Sequence, residues 1–411
     1  MKRQSHNMGQ HSHKRNFLAN LRSALPAIVL AITATYILSR LGTLHGLERL
    51  TLDAEMAASP HPSISICLVE ITDMDYDDIF GGRSPLQPDK LHDLISAIAL
   101  SRPAVIGVDI DTSHPQFRNL KIEPDWPPVI WERDITMKDR ISEEGEPLDV
   151  LGGQDPRINQ SSGIPVLLDD PEDKVTRLYT RCVKTKSGSE PTLVYALDRA
   201  YRSAISNTTF DSGHLCGSGT EAPTKPLYIN YALRQGATLY EKDAAQVLGL
   251  SAKKEDGGQG QMVPDFLNKI VLIGGTYRDF DRHFTPIGAL PGVAVLANAI
   301  DTEVEGGGVK ASPRWVLFGL EFLASALIVL LFHQYAMSPG MAIAWGVPLT
   351  IALSLIFSYF SFHTFSRFVN FAPTLLAVLI FEVYEYVRHE SILGAVRPKR
   401  DPESGDPEMK S

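Results

Sequence analysis

Four runs of apolar residues, uncharged or nearly so, constrain this chain more than any other feature. Residues 23–39, SALPAIVLAITATYILS, lie between Arg22 and Arg40 without a charge. Three more close the sequence: Trp315–Tyr335, Met341–Phe362 and Phe368–Val387, parted by Ser338-Pro339-Gly340 and by Ser366-Arg367. About 20 mostly apolar residues span a bilayer as a helix, and flanking arginines reach back to the headgroups. The expectation is one membrane helix at 22–42 and three within 313–389, at about 315–335, 341–362 and 368–387. A cleaved secretory signal is the alternative for the first run, and it equally sends the downstream chain out of the cytosol. Basic residues set the orientation. Lys2, Arg3, Lys14, Arg15 and Arg22 precede the first run, and Arg388, Arg397, Lys399 and Arg400 follow the last. Both termini are therefore expected in the cytosol of a bacterial cell, in its inner membrane, with the central 43–312 in the periplasm. Residues 1–21 read as a basic tail. Residues 390–411 read as a polar tail too short to fold, so any signal output is expected to come from a separate protein.

The middle has a different character. Ser63–Thr72 reads as a buried strand, and the turn TDMDYDDIFGGRSP follows it. Leu91, Leu94, Ile95 and Ile98 then fall at helical spacing behind a start at Pro88-Asp89. Ala104–Ile110 is a second apolar strand, which makes a βαβ unit with the two strands as parallel neighbours. Residues 112–165, rich in Pro, Gly and charge, read as a long excursion. Beyond it, SGIPVLLDDPEDKVTRLYT suggests paired strands about an Asp-Pro-Glu-Asp turn. PTLVYALDRAYRSA suggests a helix, PLYINYAL a strand, YEKDAAQVLGL a helix, NKIVLIGG a strand and GVAVLANAIDTEV a helix. The fold expected is an α/β domain with a largely parallel or mixed sheet, beside a four-helix membrane region.

Four stretches resemble a CHASE2 domain, the extracytoplasmic sensory module of bacterial receptors. They are VEITDMDYDDIFGGRSPLQPDKLHDLI, RPAVIGVDIDTSHP, INYALRQGATLYEKDAAQVL and NKIVLIGGTYRDFDRHFTPIGALPGVAVLANAI. The last is nearest the family pattern: a strand ending in a Gly pair, an Asp, a Thr-Pro, then Pro-Gly-Val entering a helix. One membrane helix before the domain and three after is also the family's layout. Arg83-Ser84-Pro85 stands where the family has a tryptophan-proline motif, so no role is carried across there. The resemblance implies a sensor or receptor subunit that relays a signal through its membrane helices to a separate effector. The alternative is a structural subunit anchoring an envelope complex. The bilayer, an effector or complex partner and a second copy of the chain are the partners expected.

Three acidic clusters follow three of the strands: Asp73 with Asp75, Asp77 and Asp78; Asp109 with Asp111; Asp279 with Asp281. If the strands are parallel, these carboxylates gather at the carboxyl edge of the sheet, where open α/β folds bind ligands. Oxygen ligands there suit a divalent cation or a cationic or hydroxylated small molecule. Turn chemistry is the competing explanation, because Asp caps helices and closes Asx-turns. Asp73, Asp109, Asp111, Asp279 and Asp281 are the candidate ligand residues, and whether they take a metal stays open. Glu321, Glu382 and Glu385 lie in or near the apolar runs and are candidate helix or partner contacts. Cys182 and Cys216 could pair, whereas Cys67 reads as a buried thiol. LIGGTYRD lacks both G-x-G-x-x-G and the Gly-Lys-Ser/Thr of a phosphate loop, and no hydrolase, zincin or thioredoxin signature occurs. No enzyme activity and no cofactor are expected. A net charge of −9 argues against nucleic acid as a partner.

Overall fold

A computed structural model describes residues 22, 25–41, 43–58, 63, 65–136, 145–206, 208, 216, 226–231, 239–249, 266–279, 281–334, 339–365, 367–369 and 372–396. The chain divides into two compact units, Asp53–Lys310 and the pair of segments Met1–Leu52 and Ala311–Ser411.

The first unit is built on six strands: β1 (Ile66–Ile71), β2 (Val105–Asp109), β3 (Val129–Glu132), β4 (Ser162–Gly163), β5 (Tyr240–Asp243) and β6 (Ile270–Gly275). They form one sheet in the order β5-β1-β6-β2-β3-β4, and every neighbouring pair is parallel. The α/β class with a parallel sheet is therefore as expected, but β1 and β2 are not neighbours. The late strand β6 lies between them, with Ile66 opposite Ile270 and Val105 opposite the same residue. Its composition explains the central place. IVLIGG has no polar side chain, and a strand buried on both faces needs none.

The sheet is covered on both sides. Numbered along the whole chain, the helices include α1 (His45–Ala58), α2 (Asp73–Asp78), α3 (Pro88–Ala99), α4 (Leu193–Ser206) and α5 (Gly292–Val304), and, in the second unit, α6 (Arg314–Gln334), α7 (Pro339–Phe365) and α8 (Ala372–Val396). On one face Val69, Ile71, Ile106, Val108, Val271 and Ile273 pack with Leu91, Leu94, Ile95 and Ile98 of α3, the helical stripe read from spacing. On the other, α4 and α5 come close because the strands carry glycines there. A Cβ on Gly107 would meet Leu197 of α4, and one on Gly274 would meet Val293 of α5.

Two local readings are corrected. The stretch after β1 is not an open turn but the helix α2. Thr72 caps it by accepting from the Asp75 amide, and the Asp75 carboxylate accepts from the Thr72 amide in return. Tyr240–Asp243, read as the start of a helix, is the edge strand β5, and only Ala244–Val247 is helical. Pairing with β1 decides this, since Cys67–Glu70 offer an open edge to four residues of the segment. The Asp-Pro-Glu-Asp turn does join two antiparallel strands, Leu167–Asp169 and Thr176–Tyr179. Arg177, 3% exposed, sits at the foot of this hairpin and binds Asp53, Asp170 and Asp173. Cys182 and Cys216 form a disulfide with Cα atoms 6.1 Å apart, and Cys67 is a buried free thiol.

The second unit is helical. Residues 25–40 form a helix, joined in the same unit by α6, α7 and α8. Ala27, Ile28 and Ala31 pack on Ala377, Val378 and Phe381 of α8. Beside this apolar contact, several small polar side chains are buried and many large apolar ones are exposed. Thr35, Thr350, Ser358 and Thr374 are buried, while Leu323, Ile356, Phe360 and Val383 are exposed. The buried hydroxyls of Thr35 and Ser358 donate to the carbonyls of Ala31 and Val369. Among the described residues no helix is long and apolar enough to cross a membrane, and the side chains at 324–325 and 328–344 lie outside those residues. Glu321 of α6 is 3% exposed, with Oε2 unpartnered among the described residues. Glu382 and Glu385 fall on α8, their side chains outside the described residues.

Candidate functional site

Parallel strands deliver their last residues to one edge, and here that edge holds a cleft of about 650 Å³. Asp109 ends β2, Glu132 ends β3, and Tyr277 and Arg278 follow β6. The far wall is a hairpin of Arg282–Thr285 and Gly288–Pro291, whose approach carries Asp281. Asp109, Asp111, Glu132 and Asp281 all line the cleft, opposed by Arg278 and Arg282.

The acids differ in what they do. Asp73 lies outside the lining and accepts from the Arg278 amide at 2.7 Å. Asp111 lines the cleft but also closes an Asx-turn, accepting from the Ser113 amide at 2.8 Å. Both perform the turn chemistry that competed with a ligand role in the sequence. The side chain of Asp279 lies outside the described residues. Asp109 is different, because no hydrogen bond or ion pair engages its carboxylate among the described residues. The same holds for Glu132, which the sequence reading missed. Its signal was faint: VIWE is a short strand behind two prolines, inside a stretch read as an excursion.

Burial, and then the charge of Asp281, pushes the Asp109 carboxyl up to about 7, with His283 opposing. Burial, and then Asp109, holds Glu132 well above the usual carboxylate range. Asp109 thus raises the pKa of Glu132, and among the described residues neither carboxylate has a hydrogen-bond or ion-pair partner. One wall is aromatic: Tyr76 and Tyr277 stack at 4.2 Å, and the Arg278 guanidinium lies 4.6 Å from the Tyr76 ring centre. A second acidic group stands outside the cleft. Glu70 of β1 is pushed up to about 7 by burial, then by Glu241, Asp243 and Asp75. Among the described residues, no group of three or more His, Cys, Asp or Glu side chains is arranged to hold a metal ion. The carboxylate pair suits an ammonium or guanidinium group instead, since either donates hydrogen bonds without needing a full coordination shell.

An α/β domain whose central sheet is parallel, with a charged cleft at the carboxyl edge of that sheet, has the form of a ligand-recognition module. The chain belongs to the CHASE2 domain family, whose sequence model matches residues 27–333, and CHASE2 domains are extracytoplasmic sensory domains. No curated protein and no solved structure matches the chain.

Proposed function

We propose that this protein is a membrane-anchored sensor whose extracytoplasmic domain binds a small organic cation in the cleft between Asp109, Glu132 and Asp281. It passes the change through its helices to a separate effector. The observation carrying the ligand reading is the Asp109–Glu132 pair, half-buried in a concave site with no hydrogen-bond or ion-pair partner among the described residues. Leaving such groups unpaired is costly, and a cation recovers that cost on binding. Family membership supports the sensory role. The apolar runs, the basic residues flanking them and the exposed apolar side chains of the helical unit support a one-plus-three membrane arrangement with both termini cytosolic.

The test is thermal stabilisation of the full-length protein in detergent by putrescine, arginine and choline, against equal ionic strength of sodium chloride. At least one cation should raise the melting temperature of wild type, and Asp109→Asn combined with Glu132→Gln should abolish that rise. If none of the three acts beyond the salt control, or if the double variant responds like wild type, the ligand reading fails.

A further inference from the structure

His283 lies on the hairpin that walls the cleft, and it is held at both ring nitrogens. Nε2 is 3.1 Å from Asp281 Oδ1, and Nδ1 is 3.1 Å from Thr176 Oγ1. Thr176 belongs to the strand Thr176–Tyr179 of the other hairpin, and its hydroxyl donates to Asp169 Oδ1 at 2.5 Å. A hydroxyl has one proton, so with that proton on Asp169 it can only accept from the imidazole. Asp281, a carboxylate, can also only accept. Both ring nitrogens must then carry hydrogen, which a neutral imidazole cannot supply. The arrangement is complete only for the imidazolium.

We propose that protonated His283 is a latch. It ties the cleft-wall hairpin Arg282–Pro291 to the hairpin Leu167–Tyr179 and makes the position of Asp281 depend on pH. The surrounding charges favour the protonated form. Asp281, Asp169 and Asp109 all act on the ring, and they hold its pKa above the usual histidine value against the opposing effect of burial. Glu132 stands in the field of the same Asp109 and Asp281. The partner strand Gly288–Pro291 carries no titratable side chain. On the strand Thr176–Tyr179, Arg177 is committed to Asp53, Asp170 and Asp173, and Tyr179 to Glu303. Glu303 and Asp301 lie at the far end of α5, and Arg278 and Arg282 are the remaining cations at the cleft. The sign comes from the direction of the shift. The latch is fully present below the unfolded-state histidine pKa of about 6.5 and is lost as pH rises through the elevated folded value.

Gly292 shows how closely the latch is fitted. Its amide donates to the Asp281 carbonyl at 2.8 Å, and a Cβ there would collide with the Asp281 carboxylate.

The consequence for ligand binding rests on the organic-cation reading of the cleft, whereas the latch does not. Hydrogen exchange of residues 282–291 in the full-length protein, corrected for intrinsic rates, measures the latch between pH 5.5 and 9. Protection should fall as pH rises in wild type, be low and level in His283→Gln, and fall at a lower pH in Asp281→Asn. Histidine C2-proton NMR of wild type gives an independent readout, with one ring titrating above the usual value and that signal missing from the Gln variant. Level protection in wild type, or the same pH dependence in His283→Gln, overturns the latch. Putrescine binding measured over the same pH range separates the two proposals. A hairpin that loosens while no amine binds at any pH leaves the latch standing and removes the ligand reading.

Discussion

Replacing Asp109 by Asn should make the sensory domain more stable, and only at neutral or alkaline pH. The carboxyl moves from 3.8 to about 7 on folding. An acid whose folded pKa lies above its unfolded value carries no cost below about pH 4. The cost grows between 4 and 7 as the group is forced to ionise, and is constant above. A difference of about 3 units at 1.36 kcal/mol each sets a ceiling of about 4 kcal/mol. Water reaching the open cleft, and sharing of the burden with Glu132, bring the expected gain to about 1–2 kcal/mol at pH 8. For a domain of this size that is a rise of about 3–6 °C in melting temperature. The assay is tryptophan fluorescence in a Trp315→Phe, Trp345→Phe background. There the signal comes from Trp126 and the buried Trp131, which directly precedes Glu132. Wild type and Asp109→Asn should melt together at pH 4 and apart at pH 8. A variant that is less stable at pH 8, or an offset that does not change with pH, would refute the idea that an uncompensated charge is held in the cleft.

Substitutions at two further positions probe the frame around the site. Arg177→Met leaves Asp53, Asp170 and Asp173 without their common cation, and should cost about 3–5 kcal/mol in urea unfolding, with Arg177→Lys in between. Thr72→Ala removes one limb of the α2 capping box and should lower the urea midpoint by an amount equivalent to about 1 kcal/mol without changing the slope.

What the sequence reveals here depends on the range of the interaction. Helix α3 is legible because Leu91, Leu94, Ile95 and Ile98 lie within three turns of one another, and β1, β2 and β6 because their apolar runs are continuous. The order of strands is not legible. Nothing within Ile66–Ile71 or Val105–Asp109 records that a segment some 160 residues beyond β2 will separate them. Tyr240–Asp243 fails for the same reason, since its strand character comes from β1 and not from YEKD itself. At the site, Asp109, Asp111 and Asp281 could be gathered from the sequence because each follows a strand or its turn. Glu132 could not, because its strand is four residues long. Asp73 looked equivalent to Asp109 and is not. The difference is a single amide, that of Arg278, brought to it from 205 residues away.

The strand in the middle of the sheet is the last of the six to be made. Until Ile270–Gly275 is available, β1 and β2 each lack the neighbour they will share, and the two halves of the sheet have open apolar edges. A register joining Ile66 to Ile270 is a contact of very high sequence separation, and such contacts make folding slow. An early β1–β2 pairing would satisfy the same backbone groups and would have to come apart again before β6 could enter. Chains in which β6 has not yet entered the sheet are therefore exposed to edge-to-edge association. Truncations that end before residue 270 should aggregate, not fold, whatever their composition.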